Sequence, residues 1–225
     1  SLPVELGGLT ALVQLFMTGN PLRGGLPGSL CGLAALSVLD LSHNFFSGRI
    51  PSELGALREV SIMLLGNNRL THSLPSSLAA LEQLADLRVE GNLLSGGLAP
   101  LFDSPALALP RLTVADLSDN IFSGQVPGGL FSIPAISVVV LSLNCFSGSL
   151  PASMCAASNC SVLSLDGLGA AFGCRDAVQL PLTGVRVFNT LDSTFPNCLL
   201  ALPGLRVLHL TGNGLSGTIG DVSQT

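Results

Sequence analysis

Few residues in this chain are of the kinds that perform catalysis. The three histidines, His43, His72 and His209, are far apart, and no nucleophile lies at a spacing that indicates a catalytic pair. The 26 glycines form no phosphate-binding loop, and we interpret them as turn residues. The sequence therefore predicts a protein without enzymatic activity and without a cofactor.

Carboxylates are concentrated in the middle of the chain, where Asp86, Glu90, Asp116 and Asp119 surround Arg88. Calcium sites built from such residues follow recognisable patterns, and neither an EF-hand loop nor a glycine–aspartate repeat is present. We therefore interpret these side chains as an acidic strip of the surface and predict no metal site.

The cysteines indicate disulfides. The six cysteines are Cys31, Cys145, Cys155, Cys160, Cys174 and Cys198. The last four are spaced by 5, 14 and 24 residues, which lacks the short paired knuckles of a structural zinc site. Their even number and clustering favour disulfides and an oxidising compartment, with free buried thiols as the alternative. We expect a bridge between Cys155 and Cys160, or between Cys174 and Cys198.

Three further features bear on location and partners. Asn159 begins an Asn-Cys-Ser acceptor sequence for N-glycosylation, which agrees with an extracellular or cell-surface location. Residues 1–3 have no signal-peptide pattern, so we expect any signal to lie upstream. Glycine, proline and serine interrupt the uncharged span between Asp119 and Asp166, so no membrane span is expected. A net charge of −5 without a basic patch argues against nucleic acid as the partner.

Asparagine recurs along the chain at a fixed step. The step from Asn20 to Asn44 is 24 residues (44 − 20), and it recurs until four residues are inserted before Asn120. The series is Asn20, Asn44, Asn68, Asn92, Asn120, Asn144 and Asn213. A fixed period of this length indicates a solenoid, here of about eight to nine coils.

Every coil has the same internal pattern, and residues 33–57, LAALSVLDLSHNFFSGRIPSELGAL, show it most clearly. Leu39 and Leu41 alternate with outward residues, which is the period of a strand. Asn44 follows the strand, and its amide can bond backbone groups of its own coil and the adjacent coil. A leucine in that position, such as Leu168, would leave those groups buried and unpaired.

The pattern LxxLxxLxLxxNxLSGxIPxxLGxL resembles the plant-type leucine-rich repeat over residues 2–151 and 201–219. The chain is similar to ectodomains of plant receptor-like kinases and receptor-like proteins, and to polygalacturonase-inhibiting proteins. This resemblance implies an α/β solenoid, a right-handed superhelix with a parallel sheet on its concave face and turns or 3-10 segments on its convex face. It also implies extracellular recognition of proteins, peptides or glycans.

The repeat predicts one leucine-rich-repeat domain over residues 1–225, with an irregular cysteine-rich interruption at about 155–198. The terminal coils leave apolar edges open, so we expect the segment to be cut from a longer array with neighbouring repeats or domains.

The outward positions of the strands form the expected binding face. Two apolar groups flank the acidic strip there, and exposed apolar patches usually mark contacts. The candidate partner-binding residues are Phe16, Val38, Asp40, Ile62, Leu64, Asp86, Arg88, Glu90, Val114, Asp116, Val138 and Val140. The plainer interpretation is that short aliphatic residues suit strands and that the acids keep the face soluble.

Three functions are compatible with the sequence. The first is a non-catalytic extracellular module that binds a protein, peptide or glycan through its concave face. The second is a structural component of a wall, matrix or surface filament. The third is a secreted enzyme inhibitor. The repeat class and the patterned outward positions favour the first.

Overall fold

One short strand from each regular coil joins a parallel sheet, as the repeat predicts. The computed structural model describes residues 1–103, 109–168, 174 and 194–215, and the backbone of residues 178–179 and 186–187. Eight strands stack in the order β1-β3-β5-β7-β9-β11-β13-β16 and form what we call the concave sheet. They are β1 (Gln14–Phe16), β3 (Val38–Asp40), β5 (Ile62–Leu64), β7 (Asp86–Arg88), β9 (Val114–Asp116), β11 (Val138–Val140), β13 (Val162–Ser164) and β16 (Val207–His209).

A second parallel sheet follows the asparagines, and we call it the flank sheet. Its six strands are β2 (Arg23–Gly24), β4 (Phe45–Gly48), β6 (Arg69–His72), β8 (Leu93–Gly96), β10 (Ile121–Gly124) and β12 (Cys145–Phe146). Two further strands, β14 (Val178–Gln179) and β15 (Arg186–Val187), pair with each other in antiparallel fashion.

Short 3-10 helices return the chain from one coil to the next. They span Val4–Gly8, Gly28–Gly32, Ser52–Ala56, Ser76–Ala80, Gly129–Ser132, Ala152–Ala156 and Asn197–Ala201. Six of these seven begin directly after a proline, whose fixed φ suits the entry and whose missing N–H needs no partner there. The four-residue insertion coincides with a single α-helical turn, α1 (Ala99–Phe102). The predicted convex face of 3-10 segments is thereby confirmed.

The asparagine amides connect each coil to the one before it. Asn92 Nδ2 donates to the carbonyl oxygens of Leu65 in the preceding coil, at 3.1 Å, and of Val89 in its own coil, at 3.0 Å. Its Oδ1 accepts from the backbone N–H of Leu70 at 2.9 Å. Because Asn92 is buried, these bonds satisfy backbone groups that water does not reach.

The coil that lacks the asparagine is stabilised in another way. The backbone N–H of Phe146 donates to the carbonyl of Leu168 at 2.7 Å, where the regular coils use an asparagine oxygen. The N–H of Leu168 in turn donates to Asn213 Oδ1 at 2.8 Å. The expectation that Leu168 would leave this amide unpaired is therefore wrong, because a backbone carbonyl takes the place of the side chain.

Two disulfides are present, and neither has the pairing expected from the sequence. Cys145 is bonded to Cys174, and Cys155 is bonded to Cys198. Cys31 and Cys160 are free. Cys160 is only 1% exposed because it occupies an inward position of the coil that leucine, valine or isoleucine fills elsewhere, so it is a core residue.

The irregular interruption predicted at about 155–198 is described only in part. Residues 155–168 follow the regular coil, with the 3-10 helix Ala152–Ala156 leading to strand β13. Strand β13 then pairs directly with β16, so Val162 is in register with Val207. Most of residues 169–193 lie outside the described residues.

The asparagine bonds lead to a stability prediction. Replacing Asn92 with leucine should lower the free energy of unfolding by about 2–4 kcal/mol, because it leaves the Leu70 N–H and the Leu65 carbonyl without their side-chain partner. Urea unfolding followed by circular dichroism measures the change. Asn20→Leu is the matched control, because Asn20 is exposed. An equal decrease in the free energy of unfolding for Asn92→Leu and Asn20→Leu would show that the burial of Asn92 does not cause the effect.

The disulfides lead to a chemical prediction. Alkylation of the unfolded, unreduced chain should label Cys31 and Cys160 alone. In the folded chain Cys160 should react far more slowly than Cys31, because burial shields its thiol and raises its pKa. Peptide mapping by mass spectrometry identifies the labelled cysteines. Labelling of Cys155 or Cys174 without a reductant would show that these bridges are absent.

Candidate ligand-binding face

The strand register aligns the outward side chains of the concave sheet in two rows. The central row is Phe16, Asp40, Leu64, Arg88, Asp116, Val140, Ser164 and His209. The adjacent row is Gln14, Val38, Ile62, Asp86, Val114, Val138, Val162 and Val207. The structure therefore brings together eleven of the twelve candidate residues on the strands themselves, and Glu90 follows strand β7 two residues after Arg88.

The first apolar group, Phe16, Val38, Ile62 and Leu64, covers the first three strands. Phe16 is 59% exposed, and Ile62 and Leu64 are half-buried. Val38 is only 9% exposed between its row neighbours, so it offers less surface than the sequence led us to expect. The accessible part of this group comes from the other three side chains.

Asp40 and Asp116 each accept hydrogen bonds from a serine just beyond the end of their own strand. Asp40 Oδ1 accepts from the Ser42 N–H at 3.0 Å and from its hydroxyl at 2.6 Å. Asp116 Oδ1 makes the same pair of bonds with Ser118, at 3.2 Å and 2.6 Å. Asp40 is only 8% exposed, whereas Asp116 is half-buried. Asp40, expected to face a partner, therefore acts mainly within its turn, and Asp116 retains an accessible carboxylate.

Arg88 projects from the middle of the sheet beside Asp86. Its Nε lies 2.9 Å from Asp86 Oδ1, and this hydrogen bond raises the pKa of Arg88 above its usual value. Asp116 and Glu90 add smaller attractive effects, while partial burial acts in the opposite direction. A half-exposed pair of this kind contributes little stability, so it mainly orients the guanidinium.

Glu90 is the most constrained carboxylate on this face. Its side chain lies over Gly66, where an added Cβ would overlap the carboxylate. Oε1 accepts from Asn67 Nδ2 at 3.2 Å, but Oε2 is buried without a hydrogen-bond partner among the described residues. Burial is the largest cause that raises the pKa of Glu90, and repulsion from Asp116 adds to it.

The second apolar group lies over strands β9 to β13 and consists of Val114, Val138, Val140 and Val162, all half-buried. Leu143 extends it, because its side chain is exposed just beyond strand β11. Its φ of 57° lies in the left-handed region, which costs a bulky residue about 1 kcal/mol or more. The equivalent turn residues Asp119 and Gly167 of the neighbouring coils also have positive φ, so this conformation belongs to the repeat, and Leu143 adds exposed apolar area beside the group.

One contact on this face was missed by sequence reasoning. Asp166 Oδ2 lies 3.3 Å from His209 Nδ1, and Asp166 Oδ1 accepts from the N–H of Thr211 at 2.6 Å. These residues belong to adjacent strand ends although they are more than forty positions apart in the sequence. The fixed step of 24 residues contains no signal for this approach.

The described residues contain no group of three histidine, cysteine or acidic side chains arranged to hold a metal ion. In the same part of the chain, no helix has the length and hydrophobicity needed to cross a membrane.

Comparisons with known proteins agree with this architecture. The family described as Leucine Rich Repeat matches residues 11–33 and 35–57. No curated protein matches this sequence at a significant level. Among solved structures, the PEPR1–AtPEP1 complex superposes with a TM-score of 0.78 at 26% identity, over 93% of this chain and 26% of that chain. A TDR receptor superposes with a TM-score of 0.77 at 27% identity, over 93% of this chain and 32% of that one.

A third similar structure is the Arabidopsis receptor kinase HAESA in complex with the peptide hormone IDA and the co-receptor SERK1. It has a TM-score of 0.76 and 26% identity, and the match covers 96% of this chain and 36% of that chain. The chain thus spans about a quarter to a third of the length of these structures. These matches are consistent with a plant-type leucine-rich-repeat protein.

The environment of Glu90 gives a pH-dependent prediction. Because folding raises the pKa of Glu90, the folded state binds its proton more tightly, and stability falls as the pH rises above the unfolded value of about 4.3. Glu90→Gln should therefore raise the melting temperature at pH 7 and leave it nearly unchanged at pH 3.5. Glu59→Gln, at an exposed position, is the control for lost charge. An equal rise in melting temperature for Glu90→Gln and Glu59→Gln at pH 7 would refute the effect of burial.

Proposed function

We propose that this chain is a non-catalytic, extracellular binding module that holds an extended peptide across its concave sheet. The observation that carries the proposal is the order of the two rows, in which two accessible apolar groups lie on either side of a charged centre. Neighbouring strands are about 4.8 Å apart, so eight strands span roughly 34 Å, the length of an extended peptide of about ten residues.

The chemistry of the face defines the peptide further. The middle of the first apolar group and the middle of the second are about four strands apart, roughly 19 Å, which an extended chain covers in about six residues. Between them, Asp86, Glu90 and Asp116 outnumber Arg88, so the centre favours a basic ligand residue. The proposed ligand therefore has two apolar positions about six residues apart and a basic residue between them.

The structural neighbours support a peptide in preference to a glycan. HAESA, which matches over 96% of this chain, was solved with a peptide hormone. Two disulfides support an extracellular setting, since such bonds persist in oxidising compartments. Neither an inhibitor nor a structural component is favoured by a specific contact within the described residues.

A peptide selection tests this proposal. A phage-displayed library of random twelve-residue peptides is selected on the immobilised chain, and the affinity of the enriched peptides is measured by calorimetry. Leu64→Asp and Val140→Asp should each weaken binding at least tenfold, about 1.4 kcal/mol, because each places a charge where apolar surface is buried. Val4→Asp is the control, because Val4 is an exposed aliphatic residue on the 3-10 helix Val4–Gly8.

The outcome decides between the concave face and the rest of the surface. Enriched peptides should share two apolar positions and a basic residue, and should tolerate Val4→Asp. Peptides that bind Leu64→Asp and Val140→Asp as tightly as the unchanged chain would overturn the proposal, as would a selection that enriches no peptide.

A further inference from the structure

The flank sheet carries a cluster of cations around one aromatic ring. The guanidinium carbon of Arg23, on strand β2, lies 5.4 Å from the centroid of the Phe45 ring. The guanidinium carbon of Arg69, on strand β6, lies 4.9 Å from the same centroid. Phe45 belongs to strand β4 between them, so arginines from the preceding and the following coil converge on one side chain.

The two arginines have no anionic partner. No described carboxylate lies within ion-pair distance of Arg23 or Arg69, and both side chains are exposed. Contact with the ring contributes about 0.5–1 kcal/mol per cation at an exposed site, which helps to hold two like charges near each other. Among the described residues, no hydrogen bond or ion pair uses these guanidinium donors, so they are available to an anion.

The flank sheet differs in charge from the concave sheet. Its six described strands contain no acidic residue, and exposed Arg49 directly follows strand β4. The concave sheet, in contrast, carries Asp86 and Asp116 in its rows. In a chain with a net charge of −5, the positive charge on this side is a local feature and not a general property of the surface.

An exposed apolar side chain lies on the strand next to that of Arg69. Leu93 begins strand β8, which pairs with strand β6, and it is 52% exposed. Phe45 is also partly exposed. The surface therefore combines two free guanidinium groups with uncovered apolar area, a combination that occurs where proteins bind one another.

We propose that Arg23, Phe45, Arg69 and Leu93 form a docking surface for an acidic segment of a partner protein, separate from the concave ligand face. Both guanidinium carbons lie within 5.4 Å of one ring centroid. Two carboxylates on an extended segment, two residues and roughly 7 Å apart, reach both of them. An apolar side chain of the same segment covers Leu93. An anionic polysaccharide supplies the carboxylates but no side chain for Leu93, so a protein fits better.

The two sheets use different residues of the same coils. Strand β3 presents Val38 and Asp40 to the concave face, while strand β4 of the same coil presents Phe45 to the flank. A peptide on the concave sheet leaves the flank accessible. The docking surface therefore permits a second protein to bind at the same time as the ligand.

A defined pair of peptides tests the docking surface. The probes are a capped hexapeptide, Glu-Ser-Glu-Ser-Leu-Ser, whose two glutamates and leucine share one face when extended, and its analogue with glutamine in place of glutamate. Amide chemical shifts of the full chain are followed by NMR during titration, together with the dissociation constant at two salt concentrations. The glutamate peptide should shift amides of strands β2, β4 and β6 and should bind more weakly at high salt.

Matched variants identify the residues responsible. Arg23→Gln combined with Arg69→Gln should lower the affinity for the glutamate peptide at least tenfold. Leu93→Ser should lower this affinity severalfold. Arg111→Gln combined with Arg206→Gln removes the same charge at exposed positions outside the flank sheet and should leave affinity unchanged. Circular dichroism establishes that each variant is folded.

Four results would overturn the proposal. In the first, the glutamine peptide binds as tightly as the glutamate peptide. In the second, neither peptide shifts the amides of the flank strands. In the third, the control pair of substitutions at Arg111 and Arg206 weakens binding as much as the pair at Arg23 and Arg69. In the fourth, an oligomer of galacturonic acid binds more tightly than the peptide and is insensitive to Leu93→Ser, which assigns the site to anionic saccharides. Leu64→Asp should change none of these measurements, so the concave proposal stands or falls separately.

Discussion

The hydrogen bonds of the buried asparagines hold the rest of this structure in place. Each coil must bend from strand to turn in a region that water does not reach, and the amide of a residue such as Asn92 satisfies the backbone of its own coil and of the preceding one. This fixes the distance and the orientation between coils. The two rows of the concave sheet and the cluster on the flank sheet exist because neighbouring coils are held in this register.

A consequence of this scaffold is that most outward residues are not needed to stabilise the fold. The leucines inside the coil and the asparagine at its corner supply the packing and the polar contacts, so the side chains between them can vary in charge and size. The chain uses this freedom in opposite ways on its two sheets. The concave centre is acidic with an oriented Arg88, whereas the flank sheet is basic around Phe45.

Much of the fold follows from sequence because it depends on local patterns: the alternation around Leu39, the asparagine step and the proline before each turn. Burial across coils does not follow from them. Asp40 is nearly covered because of its hydrogen bonds to Ser42 and its row neighbours, which no single coil specifies. Repeat position also predicts the wrong strand pairing on the flank sheet. The register there is shifted by two residues relative to the 24-residue step, so Arg23 pairs with Phe45.

The two disulfides have a topological consequence. Cys174 is tied back to Cys145, and Cys198 is tied back to Cys155, so the segment from 174 to 198 is covalently attached near both of its ends to the same two coils. A single backbone break within that segment leaves one covalent molecule, because Cys155 still joins the two pieces. Strand β16 pairs with β13 although more than forty residues separate them in the sequence. The chain between β13 and β16 is thus held by two covalent attachments in addition to the pairing of those two strands.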